Sequence, residues 1–296
     1  MPEPFLRIQS RLTDRDHTLL GWLADHGVLT TFQIAHALFP SLDFAQRRLR
    51  RLCDAGLLTR FRPFRADGGT YPYHYVLDQL GVEVVATHRG EDLPRKDKAR
   101  QRRWHLTNRA NLPHLLGTNQ FFVELAGHAR THPSSHLLRW WSTSHCLEPG
   151  ALAGDPDDNQ QRYYQPVIRP DGHGIWQENG ATVPFFLEYD TGTETVGRLV
   201  DKVAGYATLA RVTGLIWPVL FWLHATAREH NLHRRLTDAH IWVPVATGAR
   251  DATATRSSPA DAVWWLHGNP GRRRRLADLA DAVSDDRYHT GSAQPV

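Results

Sequence analysis

The sequence predicts an α/β chain (α+β overall) in which a helical unit with a short hairpin precedes a larger mixed-sheet unit. Three observations lead there. The 296 residues exceed one ordinary domain of roughly 150. Helical apolar periodicity fills the first third, whereas β-rich runs alternate with helical ones over the rest. A composition of 41% hydrophobic and 22% charged residues, with 10 tryptophans, gives both parts enough apolar surface for a core.

The first helix is expected over 12–25, where Thr13 and Asp16 have the spacing of a capping box and Leu19, Leu20 and Leu23 form a stripe ended by Gly27. A short helix over 31–39 follows, capped by Thr30 or Thr31 and stopped by Pro40. The third, 42–55, sets Ala45, Leu49, Leu52 and Cys53 on one face and Arg47, Arg50 and Arg51 on the other. Two β-rich runs, "LLTRFRPF" and "YPYHYVLD", are joined through an Asp-Gly-Gly turn signal. Three helices and a hairpin resemble a winged helix-turn-helix domain over 1–87, with 42–55 as recognition helix and 58–77 as wing. Read so, Arg47, Arg50 and Arg51 meet phosphates or a guanine edge of double-stranded DNA, while Arg60, Arg62 and Arg65 touch its backbone. The alternative is a solvated basic face on a protein-contact domain.

Residues 88–111 are dense in charge, with Lys96, Lys98, Arg100, Arg102 and Arg103, and read either as a basic strap along DNA or as a solvated linker. The second domain is expected over 112–266. A helix over 112–129 precedes three strands, "HLLRWWST", "YYQPVIRPDG" and "VPFFLEYD". A helix over 194–211 then carries Val196, Leu199, Val203, Tyr206 and Ala210 on its buried stripe and Lys202 on its flank. The strand "WPVLFWLHA", a helix carrying 230–236 and a strand over 240–246 complete a mixed sheet.

Asp171 is expected just after one strand, and Glu188 and Asp190 at the end of the next, on one face because they are two residues apart. Carboxylates gathered in this way suit a hard divalent cation, Mg²⁺ or Mn²⁺, which takes oxygen ligands. The bland readings are a Pro-Asp-Gly turn at Asp171 and an exposed strand end at Glu188 and Asp190.

"RPDG" followed by "FFLEYD" resembles the PD-(D/E)xK nuclease signature. Over roughly 12–246 the chain resembles the replication-relaxation family of actinobacterial plasmids and integrative conjugative elements, with "LEYDTGTET" its most characteristic stretch. The resemblance implies a winged helix followed by a restriction-endonuclease-like mixed-sheet domain, acting in plasmid replication, relaxation or conjugative transfer. It also implies metal-dependent nicking or cleavage. Asp171 and Glu188 would be the metal ligands, with Asp190 and Glu124 as further candidates. Asp190 stands where the signature has lysine, and Lys202 on the following helix is placed to reach back in its stead. The rival reading is a non-catalytic accessory protein or transcriptional regulator with a degenerate nuclease fold.

A net charge of +4 fits an acidic partner. Double-stranded DNA, a second copy of the chain and other replication or transfer proteins are the partners in view. No apolar run approaches the roughly 20 residues that cross a bilayer, and no signal-like segment opens the sequence, so a cytoplasmic protein without membrane contact is expected. Cys53 and Cys146 are too few for a disulfide framework. The sequence has no His-x-His pair and no GxxxxGK[ST] loop, which argues against a paired-histidine metal site and an ATP-driven motor. The tail over 267–296 is expected to be partly disordered. It carries a short helix near 276–283, and four arginines at 272–275 that either bind phosphate or solubilise.

Overall fold

The computed structural model describes residues 10–64, 68–155, 157–252, 257–269 and 271–283. Arg65 of the expected wing lies outside them. The chain divides into two compact units, 1–130 and 131–296.

The first unit runs α1 (Asp14–His26), β1 (Leu29–Thr30), α2 (Thr31–Leu38), α3 (Leu42–Asp54), β2 (Leu58–Phe61), β3 (His74–Leu77), α4 (Gln79–Arg89), α5 (Lys96–Thr107) and α6 (Leu112–Thr131). Its small sheet is antiparallel, with β3 between β1 and β2. Local chemistry starts the helices where expected. Thr13 with Asp16 and Thr30 with Gln33 form capping boxes, and Ser41 accepts from Phe44 N. Leu19, Leu20, Leu23, Ile34, Ala45, Leu49 and Leu52 are buried between the helices.

Two helices of this unit are additions to the sequence reading. α4 follows β3 directly, capped by Asp78. α5 forms in the charge-dense stretch expected as a linker, where Lys, Arg, Gln and Ala are good helix formers. Its Arg103 pairs with Asp78, and Leu106 packs against a cluster of Val28, Val76 and Leu112. α6 joins the same unit through Asn119, whose Nδ2 donates to the carbonyls of His26 (3.2 Å) and Val28 (2.8 Å). Gly127 allows the close approach of α6 to α2, since a Cβ there would lie 2.2 Å from His36 Nε2.

The second unit runs β4 (Ser135–Ser142), α7 (Thr143–Cys146), α8 (Asn159–Arg162), β5 (Gly172–Glu178), β6 (Ala181–Tyr189), α9 (Val196–Thr213), β7 (Val219–Leu223), α10 (Thr226–Asp238), β8 (Val245–Ala249), β9 (Trp265–Leu266), a 3₁₀ turn (Ala277–Leu279) and α11 (Ala280–Val283). All six strands form one sheet in sequential order. β4, β5 and β6 pair antiparallel, α9 and α10 connect parallel β6, β7 and β8, and β9 returns antiparallel. This is the mixed α/β architecture the sequence predicts. β7 is buried at every residue, as a strand covered on both faces should be. No helix among the described residues is long and apolar enough to cross a membrane.

Three local expectations are corrected. The strand expected over 163–172 does not form, because Pro166 and Pro170 lack ladder donors. β5 instead starts at Gly172, after Asp171, and closes onto β6 through Asn179-Gly180, whose φ values of 50° and 86° suit a tight hairpin turn. The last expected strand likewise begins only at Val245, beyond Pro244. The arginines at 272–275 do not act as one cluster, since Arg273 and Arg275 are spent on acids of their own unit while Arg272 is exposed. Arg273 makes two 2.6 Å bonds to the fully buried Glu229, Arg275 pairs with Glu178 at 2.8 Å, and Arg274 forms a backbone bridge with Trp264.

In the first unit, Asp16 is buried against Arg48, whose Nε donates to it at 2.8 Å, and accepts from Thr13. Burial alone would raise this carboxyl, but Arg48 and Thr13 outweigh it and hold it below its ordinary value. A carboxyl lowered by folding stabilises the fold above its unfolded pKa, and that contribution is lost as pH falls through the folded value. Arg48→Ala should therefore cost about 3 kcal/mol at neutral pH, read by urea unfolding, and less in acid. Arg273→Ala should cost a similar amount, about 3–5 kcal/mol, by leaving Glu229 buried and unpaired.

Candidate active site and basic face

Glu188 lies near the end of β6 and is 1% exposed. The register pairs Gly172 with Leu187, so Asp171, one step back, stands abreast of Glu188. Two hydrogen bonds with the β6 backbone, one through the Asp171 main chain and one through its side chain, hold Asp171 there. Its N–H donates to Leu187 O at 3.1 Å, and Tyr189 N–H donates to its Oδ2 at 2.8 Å. Two strand-end acids thus meet at one end of a hairpin.

Facing them is α9, capped by Thr195 and seated by Val196, Leu199, Val203, Tyr206, Leu209 and Ala210, all buried. Lys202 and Tyr206 are one helical turn apart and so share a face. Lys202 Nζ donates to Glu188 Oε2 at 2.9 Å, and Tyr206 OH donates to Oε1 at 2.5 Å. Lys202 also lies 2.9 Å from Glu194 Oε2. Burial, then the charge of Asp171, pushes the Glu188 carboxyl up to about 7 against the pull of Lys202 and Tyr206. Burial works against the Lys202 charge, but Glu188 and Glu194 outweigh it and hold the ammonium above its ordinary value. The Tyr206 phenol is raised well above its own by burial and by Glu188.

Asp171, Glu188 and Lys202 are therefore brought together, with Tyr206 as a partner. Asp190 is placed otherwise. It sits one residue past β6, where Arg228 of α10 approaches it at 2.7 Å, His224 Nδ1 lies at 3.2 Å and Gly192 N–H donates at 3.2 Å. Burial works against its charge, but these partners hold its carboxyl below the ordinary value. Glu124 is on α6 in the first unit, where Gln120 Nε2 donates to it at 3.1 Å and burial raises its carboxyl. Among the described residues, no three His, Cys, Asp or Glu side chains gather as a metal-holding group. An ion at this site would have two carboxylates, Asp171 and Glu188.

In the first unit, α3 turns Ala45, Leu49 and Leu52 inward and leaves Arg47, Arg50 and Arg51 exposed. Arg47 pairs with Asp43 at 2.7 Å and lies 4.8 Å from the Phe44 ring centre. Arg60 and Arg62 of the hairpin stack on Tyr73 at 4.0 and 3.8 Å. Sequence reasoning did not single out Tyr73, Arg228 or His224 as partners. The Arg-x-Arg to Tyr-x-Tyr pattern across the hairpin could have revealed Tyr73. Nothing local marks Arg228, 38 residues from Asp190.

The replication-relaxation profile matches residues 20–220, which take in β5, β6 and α9 with Asp171, Glu188, Lys202 and Tyr206. The chain belongs to the replication-relaxation family. Comparison with curated proteins and with solved structures finds no match. For a replication-relaxation protein the theme is replication or relaxation, and the match spans both the basic face and the acid–lysine group.

A carboxyl raised by folding binds its proton more tightly folded than unfolded. The Glu188 contribution is thus complete below an unfolded value of about 4.3 and is lost as pH rises to about 7. Glu188→Gln should flatten the fall in stability across that window relative to wild type, measured by urea unfolding at a series of pH values. Parallel curves for the two proteins would mean that Glu188 keeps an ordinary pKa.

Proposed function

We propose that this replication-relaxation protein binds double-stranded DNA through its first unit and nicks or cleaves a phosphodiester bond with its second, in plasmid replication, relaxation or conjugative transfer. The observation that carries the reading is the 2.9 Å bond from Lys202 to Glu188 beside Asp171. It supplies two acids and a lysine in the roles of a PD-(D/E)xK site, with the lysine delivered by α9. The donor set fits Mg²⁺ or Mn²⁺, since such ions take one or two carboxylates and complete their shell with water and phosphate oxygens. Asp171 and Glu188 would hold the ion, which supplies charge neutralisation at the phosphate and an activated water. Lys202 offsets carboxylate charge and would steady a phosphate oxygen, and Tyr206 holds the orientation of Glu188.

For the first unit, the order helix, strand, helix, helix, hairpin, with β3 between β1 and β2, supports a winged helix. α3 would be the recognition helix, with Arg47, Arg50 and Arg51 toward DNA and Arg60 and Arg62 on the wing. Arg48 is excluded from that role by its bond to Asp16.

A second reading, a non-catalytic DNA-binding accessory protein, has its own support. Both Glu188 oxygens already accept hydrogen bonds, and Asp190 is committed to Arg228. Supercoiled plasmid incubated with protein and Mg²⁺ or Mn²⁺ separates the two. The nuclease reading expects nicked or linear product, and a loss on the order of 10²-fold or more in Asp171→Ala and Lys202→Ala. Intact plasmid with retained gel shifts leaves the accessory reading. Arg47→Ala with Arg51→Ala should weaken duplex binding and reduce the slope of log affinity against log salt by about 2. An unchanged slope would remove α3 from the interface.

A further inference from the structure

Beside α3 the first unit holds a cleft of about 350 Å³ lined in part by Phe32, Arg50, Arg60, Arg62, Tyr71 and Tyr73. The volume falls within the roughly 300–1,000 Å³ typical of small-molecule sites. Its described lining carries three guanidinium groups and no carboxylate. Three other arginines of the unit are paired with acids, Arg48 with Asp16, Arg89 with Asp25 and Arg103 with Asp78. Arg60 and Arg62 instead gather about one aromatic ring, that of Tyr73. Two further rings stand open to water beside these cations, Phe32 at 58% exposure and Tyr71 at 42%.

We propose that this cleft takes an unpaired nucleotide of a single-stranded DNA segment, with its phosphates on the arginines and its base against Phe32 and Tyr71. This rests on the reading that the first unit binds double-stranded DNA, and it adds an unpaired stretch that the cleft holds. Cations without acids select an anion, and exposed rings select a flat apolar surface. A paired duplex offers its grooves only base edges. An unpaired base offers its π-face, which stacks on aromatic side chains whatever the sequence, while the backbone tracks positive charge. Of the nucleic acid forms, a single strand or a locally opened duplex meets both demands at once.

The test uses the full chain and fluorescently labelled oligonucleotides of one sequence as single strand, duplex and duplex with a central bulge. Phe32→Ala and Tyr71→Ala should each weaken single-strand and bulge binding by about tenfold and leave fully paired duplex binding unchanged. Retained duplex binding also shows that each variant is folded. Arg50→Ala should weaken the single strand and steepen the loss when combined with Tyr71→Ala. Wild-type affinity for the single strand in both aromatic variants would overturn the proposal, as would equal losses on paired duplex. Duplex binding with no single-strand binding would overturn it while leaving the DNA-binding reading intact, whereas failure to bind either form would sink both. Competition by free dAMP as effective as by the strand would assign the cleft to a free nucleotide instead. Equal competition by polyglutamate would assign it to an acidic peptide.

Discussion

The second unit is organised around a buried carboxylate that folding cannot leave alone. Glu188 is 1% exposed, and an isolated charge there would carry a penalty of several kcal/mol. α9 answers with an ammonium and a phenol from successive turns, so the seating of that helix and the ionisation of the site are one problem. The buried stripe of α9 fixes which face meets β6, and the same face carries Lys202 and Tyr206. Packing and electrostatics therefore select the same helix rotation.

The same logic recurs. Glu229 is fully buried under Arg273, Asp190 is clamped by Arg228 and His224, and in the first unit Asp16 is held by Arg48. In a chain with only three lysines, arginine serves at most of these junctions, where its planar fork satisfies both oxygens of a carboxylate. Lys202 is the exception, at the site proposed for chemistry. A point charge with rotatable donors is better suited than a rigid fork to shift between a carboxylate and an incoming phosphate.

Much of this was legible in the sequence wherever the signal was local. Capping boxes placed α1 and α2, the Ala45-Leu49-Leu52 stripe placed α3 with its arginines outward, and the stripe of α9 set Lys202 beside the strand ends. Asp171 reads as following its strand but precedes it, because Asn179-Gly180 makes the hairpin turn and Pro166 and Pro170 keep the apolar run before it out of the ladder. The fates of Asp190, Arg273 and Arg275 depend on partners dozens of residues away. α5 reads as a linker because nothing in its composition announces Leu106 as a residue that packs.

That two-residue turn has a consequence at the far end of the hairpin. From Glu178 opposite Ala181, each pairing follows in lockstep down to Gly172 and Leu187, so the alignment of the acids is decided seven residues from where they meet. One extra residue inserted at the tip would slide β5 against β6 and, because side chains alternate, turn one acid to the opposite face of the sheet. The spacing of the carboxyl groups is thus written in the length of a loop that touches neither of them.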